Sequence, residues 1–347
     1  MPMTIPISLA LQGGGAHGAY SWGVLDALVA DGRFRVAAVS GTSAGALNAA
    51  ALVQGLAEGD APARLAALWT AVGERSPLRG ADLPDSPFDP LFDGLAERWI
   101  EAARSWGRFV SPYSPALPSA NLLGEIVAEV IDFGTLRAAS VPLFVSATNV
   151  RTGDLRVFSG AEIDARALLA SACLPDLFRA VEIDGEAYWD GGYLGNPALE
   201  PLMEMTDAPA DVVIVQVTPF VRAQVPRDAG DIMNRVNEIT FNASLLRELR
   251  ILADVQALVR TSGAEASAMR RLAETRVHMI PADPRLGELP PASKVDTRPS
   301  ELERLRELGR KAGRAWLATE AEKVGTTGGL DLDGMLKRPS PALAGEG

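Results

Sequence analysis

FRVAAVSGTSAGALNAAALVQG, residues 34–55, passes from a strand-like run to a helix-like run through the five residues GTSAG. The first part (34–40) reads as a β-strand, and the second as a helix that Gly55 would stop. A G-x-S-x-G pentapeptide in that setting places Ser43 on a tight, strained turn, where side chains two residues to either side would clash with neighbouring backbone. Gly41 and Gly45 remove those side chains. The helix that follows would aim free N–H groups and a partial positive charge at negative charge developing on an attacked carbonyl. An ordinary structural turn is the alternative reading of the pentapeptide.

One βα unit upstream, LALQGGGAHGAY (9–20) carries Gly13, Gly15 and Gly18 in the spacing GxGxxG straight after an apolar run. A glycine loop that follows a strand and opens a helix points N–H groups at an anion, either a pyrophosphate or a transient oxyanion. Dinucleotide binding expects an acidic residue at the end of the next strand, about 20 residues on, to hold the ribose. That strand ends here in Ser40 and Gly41, and the nearest acid, Asp31, falls before it. The oxyanion reading is therefore preferred.

Further β-rich runs, ISLALQ (7–12), VPLFVSATNV (141–150), LRVFSG (155–160), DVVIVQV (211–217) and VHMIPA (277–282), alternate with helical patterns. Several are apolar on both faces, which predicts a three-layer α/β/α sandwich with a mainly parallel central sheet. Residues 76–118 break the rhythm with many prolines and place Trp99, Trp106 and Phe109 around a helix-like stretch. They read as an insertion that packs as a cap, with a mobile lid or lipid-contacting surface as the alternative. Asp231 to Arg260 reads as one long scaffold helix with Ile232, Val236, Ile239, Leu246, Leu249 and Leu252 at near-helical spacing. Ser300 and Glu303 form a capping-box pattern for a later helix with the stripe Leu302, Leu305, Ala312 and Trp316. The expected organisation is one domain over 1–323, comprising a motif-bearing core at 6–220, the insertion and a helical extension at 228–323. A poorly ordered tail at 324–347 completes it.

Bulk properties narrow the function. A formal net charge of −11 with no Lys/Arg-rich block opposes capture of nucleic acid or of an anionic membrane. The single cysteine, Cys173, cannot form an intramolecular disulfide, and no segment has the length and flanks of a signal peptide or a membrane span. A cytoplasmic protein is expected.

A serine nucleophile needs a base, and the chain has only two histidines. His17 sits inside the glycine loop, where shaping the loop suits it better than facing Ser43, and His278 lies in a late strand among core residues. YWDGGYLGNP (188–197) offers a carboxylate instead: Asp190 ends an apolar, aromatic strand and precedes Gly191 and Gly192. Alone, Asp-Gly reads as a hairpin turn. Beside the other two motifs, Asp190 becomes the partner for Ser43, acting as base without an intervening imidazole.

These three motifs, GGGAHG (13–18), GTSAG (41–45) and DGG (190–192), occur in the order found in patatin-like phospholipases, bacterial members of the patatin family of lipid acyl hydrolases, and the chain resembles that family over roughly residues 6–220. The approach to the aspartate, ASACLPDLFRAVEIDGEAYWDGG (170–192), shares the resemblance, including Ser171, Pro175 and the downstream Asn196-Pro197. The resemblance implies Ser43 as nucleophile, Asp190 as the other half of a Ser-Asp dyad, and Gly13, Gly14 and Gly15 as the oxyanion hole, with no metal and no cofactor. His17, Gly18, Gly41, Gly45, Gly191 and Gly192 support the motifs. Many members of the family carry Arg or Lys where this chain has His17, and a neutral imidazole gives less electrostatic help. The implied activity is hydrolysis of phospholipid or related lipid esters, with transient contact at a membrane surface and no nucleic-acid partner. A soluble carboxylesterase, a polyester depolymerase and a non-catalytic lipid-binding protein are the alternatives.

Overall fold

The computed structural model describes residues 4–77, 111–114, 122–205, 207–222, 224–262, 267–332 and 334. Its strands are β1 (Ile5–Leu11), β2 (Phe34–Thr42), β3 (Leu143–Asn149), β4 (Leu155–Ser159), β5 (Val181–Ile183), β6 (Glu186–Asp190), β7 (Asp211–Val215) and β8 (Arg276–Ile280). They form one sheet in the order β5-β6-β3-β2-β1-β7-β8, with β4 paired to β3 off this path. From β3 to β8 the neighbours run parallel, whereas β4, β5 and β6 add antiparallel pairings at the other end.

Successive residues along the central strands enter opposite cores. Leu9, Leu11, Val39, Val213 and Val215 face a core shared with α1 (Gly18–Asp31), α2 (Ala44–Glu58) and α3 (Ala61–Glu74). Ala10, Ala38, Val212 and Ile214 face a second core closed by Leu245, Leu249 and Leu252 of the Ala229–Ser262 helix. A sheet buried on both faces, with helices on each, is the three-layer α/β/α arrangement expected from its doubly apolar strands.

The Pro299–Thr319 helix is part of the first layer, lying against α1 so closely that the backbones touch. A Cβ at Gly309 would stand 1.8 Å from the Tyr20 carbonyl oxygen, and one at Gly23 would stand 1.8 Å from that of Arg306. Arg306 pairs with Asp26 at 2.8 Å and lies over the Trp22 ring, adding a charged seam to the same crossing. Because only backbone could yield, Gly309→Ala is expected to destabilise the fold by about 3 kcal/mol. Urea unfolding checks this, and an unchanged midpoint would contradict so close a crossing.

Three sequence expectations are corrected. Gly55 does not stop α2, which runs to Glu58 and ends at Gly59 with φ 84°. Gly55 instead admits α3, since a Cβ there would lie 2.4 Å from the Ala61 Cα. The later helix begins at Pro299, so Ser300 lies within its first turn; Arg298 occupies the N-cap position without a side-chain cap, in place of a capping box. The long helix buries only the later part of the expected stripe: Leu249 and Leu252 are buried together with Leu245, whereas Ile232, Val236 and Ile239 are 43%, 46% and 54% exposed. At 3.6 residues per turn, Leu249 lies about 100° around the helix from Ile232, so the near-helical spacing joins two faces.

The expected tail also starts later than residue 324. Val324 and Leu332 are buried, the Gly325 N–H donates to Asp211 Oδ1 at 3.0 Å, and the Leu330 N–H donates to the Val277 carbonyl at 2.9 Å. Residues 335–347 lie outside the described residues, as does most of the expected insertion, including Trp99, Trp106 and Phe109. Among the described residues, no helix is long and apolar enough to cross a membrane.

Candidate active site

β2 ends at Thr42 and α2 begins at Ala44, leaving Ser43 alone to turn the chain. Its φ of 56° is rare for a residue with a Cβ, and the surroundings hold it there. A Cβ on Gly41 would meet the Gly45 carbonyl oxygen at 2.5 Å, and one on Gly45 would meet that of Leu11 at 2.2 Å. Both glycines are therefore required by close backbone approach, as the motif predicts. The Ser43 N–H donates to Ser171 Oγ at 2.9 Å, and Thr42 Oγ1 donates to the Gly195 carbonyl. These bonds tie the turn to the segments on either side of Asp190.

Sheet register brings Asp190 to this turn. Thr42 pairs with Ser146 across β2 and β3, and the next β3 residue, Ala147, pairs with Asp190 across β3 and β6. The Asp190 backbone is pinned on both sides, its N–H by the Cys173 carbonyl and its carbonyl by Thr148 Oγ1, each at 2.8 Å. Gly191 packs on β3, where a Cβ would stand 2.2 Å from the Ser146 carbonyl oxygen, and Gly192 lies under the Phe241 ring. The hairpin-turn reading of this Asp-Gly is thereby replaced: the β5–β6 hairpin turns instead at Asp184 and Gly185, with φ 53° and 83°.

The Asp190 side chain is wholly buried. Oδ1 accepts the Gly192 N–H at 2.7 Å, whereas Oδ2 has no hydrogen-bond partner among the described residues. Burial pushes this carboxyl up to about 7, against the opposing pull of the Gly192 N–H and the nearby Ser43 hydroxyl. Ser43 is thus close enough to favour the carboxylate, although no hydrogen bond of ordinary geometry joins the two.

Gly13 serves the site differently from the expected oxyanion donor. Its N–H is committed to Asn196 Oδ1 at 2.7 Å, and a Cβ on it would stand 2.6 Å from Ser43 Cβ. Its contribution is shape, allowing the loop to lie directly against the nucleophile. Gly14 and Gly15 cap and open the 3-10 turn Gly15–His17, which leaves their own N–H groups without a partner inside that turn. Gly18 packs α1 onto α2, since a Cβ there would lie 2.6 Å from Ala44 Cβ.

Behind the loop lies an amide network that the sequence does not reveal. Gln12 Nε2 donates to Asn242 Oδ1 at 2.9 Å and to the Asn196 carbonyl at 3.2 Å, and Gln12 Oε1 accepts the N–H groups of Val217 and Thr218. Asn196 is visible only through the Asn-Pro of the family-like segment. Asn242 carries no signal, because it sits in the middle of a helix 230 residues from Gln12.

The histidines are not bases for Ser43. His17 Nε2 lies 2.8 Å from Ser293 Oγ, whose own proton goes to the Pro290 carbonyl, so the imidazole must be the donor. Burial, reinforced by Lys294 and Arg304, pushes its pKa down to about 3. His17 therefore docks the glycine loop onto the segment at 290–295 as a neutral ring. Replacing it with Gln, which retains a donor, is expected to leave the pH profile of ester hydrolysis unmoved, and a profile shifted near pH 6–7 would contradict this role. His278 is bonded to Asp211 at 2.9 Å, between β7 and β8. Cys173 is also inert, its thiol pushed up to about 12 by burial and by Asp190. Among the described residues, no cluster of three or more His, Cys, Asp or Glu could hold a metal ion.

Comparison with known proteins follows the same motifs. The family profile described as Patatin-like phospholipase matches residues 9–203. No curated protein matches the chain. Among solved structures, VipD from Legionella pneumophila is similar at 16% identity and a TM-score of 0.44, over 90% of this chain and 66% of that one. This chain therefore spans just under two thirds of the VipD chain. The type III effector ExoU is similar at 19% identity and a TM-score of 0.26, over 94% of this chain and 77% of that one. A full-length ExoU in complex with SpcU, from the type III secretion system of Pseudomonas aeruginosa, is similar at 13% identity and a TM-score of 0.26, over 92% and 80% of the two chains.

Proposed function

The chain belongs to the patatin-like phospholipase family of lipid acyl hydrolases, and from that premise we propose that it cleaves carboxylic ester bonds of phospholipids or related lipids through Ser43 and Asp190. One observation carries the reading: the buried Asp190 carboxyl, with Oδ2 unpartnered and a pKa of about 7, stands beside a serine held at φ 56°. An ordinary aspartate is too weak a base for a serine hydroxyl, whereas one poised near neutrality can accept its proton and return it.

In the proposed reaction, Asp190 takes the Ser43 proton as Oγ bonds to the ester carbonyl carbon. Negative charge moves to the carbonyl oxygen, where the N–H groups of Gly14 and Gly15 and of Ala44, the residue after the nucleophile, are the candidate donors. The tetrahedral species collapses, the C–O bond to the alcohol breaks, and Asp190 protonates the leaving oxygen. Water then gives a proton to Asp190 and attacks the acyl-serine, which releases the fatty acid and restores Ser43. Losing one oxyanion donor typically costs about 100-fold or more in rate, so the loop and the base are both needed.

Labelling with a fluorophosphonate followed by peptide mapping tests the nucleophile, and a panel of short soluble esters, monoacyl lipids and diacyl vesicles tests the substrate. Modification confined to Ser43 with preference for lipids is expected. A folded protein that takes no label would refute the catalytic reading, and preference for short esters would move it to a carboxylesterase.

A further inference from the structure

A groove of about 850 Å³ runs along the Ala229–Ser262 helix, lined on its other side by Met279 of β8 and by Phe220 and Leu330. Its floor is apolar, built from Phe220, Ile239, Leu246, Met279 and Leu330. Phe220, Met279 and Leu330 are only partly buried where they pack against the second core. Val221 and Ile239 at its wall are 61% and 54% exposed, so apolar surface remains in contact with water.

The polar lining is mainly cationic. Arg235 is held by Glu238 and the Phe220 carbonyl, and the one acid among the described lining residues, Asp331, accepts the Gly334 N–H. Arg247 and Arg250 also line the groove, and among the described residues neither guanidinium has a side-chain hydrogen bond or ion pair. Other arginines of this acidic chain do have carboxylate partners, among them Arg222 with Glu238, Arg276 with Asp211 and Arg298 with Asp296. Three residues apart on one helix, Arg247 and Arg250 project from neighbouring positions.

We propose that this groove binds a long-chain fatty-acid anion, with the hydrocarbon chain along the apolar floor and the carboxylate between Arg247 and Arg250. The volume lies within the range of about 300–1,000 Å³ usual for small-molecule sites. A guanidinium recognises a carboxylate by paired, charge-assisted hydrogen bonds, and the chain would cover the exposed Ile239 and Val221. The choice of a fatty acid among anionic amphiphiles rests on the acyl-hydrolase reading, whose last step releases that anion. Asn242 lines the groove and also bonds the side chain of Gln12, the residue before the glycine loop.

Titration calorimetry of Ser43→Ala protein with oleate, below the concentration at which oleate aggregates, tests the site without turnover. Saturable binding is expected, weakened at least about tenfold by Arg247→Gln with Arg250→Gln and also weakened by Ile239→Asp. Oleyl alcohol should bind less tightly than oleate, and the arginine variant should lose that preference. Ester hydrolysis by the arginine variant with Ser43 intact should persist, so failure of the groove and failure of the catalytic reading give different results. The proposal is overturned by oleate binding that ignores both arginines, or by absence of saturable binding. It is likewise overturned if the arginines govern only self-association or sedimentation with anionic vesicles.

Discussion

Ser43→Ala will lower kcat for ester hydrolysis by at least about 10⁴-fold, because it removes the hydroxyl that the φ 56° turn holds beside Asp190. Cys173 is the only thiol, and its proton is held by burial. The alanine keeps the Cβ, so its loss of activity reports the hydroxyl and not the turn. Ser43→Gly separates chemistry from folding more sharply. At φ 56° a residue with a Cβ carries strain of roughly 1–3 kcal/mol, which glycine removes. Glycine also adds unfolded-chain entropy, a penalty of roughly 0.5–1 kcal/mol. Strain relief outweighs that penalty, so the glycine variant should be inactive and more stable by about 1 kcal/mol. Urea unfolding beside an ester assay reads both. A glycine variant less stable than the parent would mean that the turn is not strained, and a folded alanine variant with full activity would remove Ser43 from the reaction.

The parts of the site that are legible in the sequence are those decided within a few residues. GTSAG announces its turn because backbone crowding at Gly41 and Gly45 is a local consequence of reversing from β2 into α2. Asp190 is ambiguous for the opposite reason. Asp-Gly favours a hairpin locally, and only the register of β3 against β2 and β6 carries the carboxylate to Ser43. The role of Gly13 differs from the one its motif implies because its N–H partner, Asn196, lies 183 residues away. The spacing of the long helix places it along the chain but not around its axis: near-helical spacing does not distinguish a buried stripe from one that drifts into solvent. Gly309 and Gly23 carry no pattern at all, since two glycines that let helices touch look like two isolated weak helix formers.

Asp190→Asn should abolish ester hydrolysis, with kcat lower by about 10⁴-fold, and it should stabilise the folded protein at alkaline pH. In the wild type, the folded-state carboxyl titrates near 7, above its ordinary value of 3.8. Between these values the folded state keeps a proton that the unfolded chain releases. The resulting contribution to stability is complete below 3.8 and is lost as pH rises through 7. Activity follows the opposite course, with kcat/KM rising about tenfold per pH unit as the base ionises and levelling above about 7. A shift of about three units corresponds to roughly 4 kcal/mol, which sets the scale of the destabilisation at pH 8. Asparagine preserves an acceptor for the Gly192 N–H but cannot ionise. At pH 8 the variant should therefore exceed the wild type in stability by a margin of that order, and the margin should shrink toward pH 5. Glu248, whose buried carboxyl is also raised to about 7, titrates alike in both proteins and drops out of the difference. Urea unfolding of the pair across this range measures the margin. If the difference stays flat with pH, the buried carboxyl is not the group that titrates, and a different base must serve Ser43.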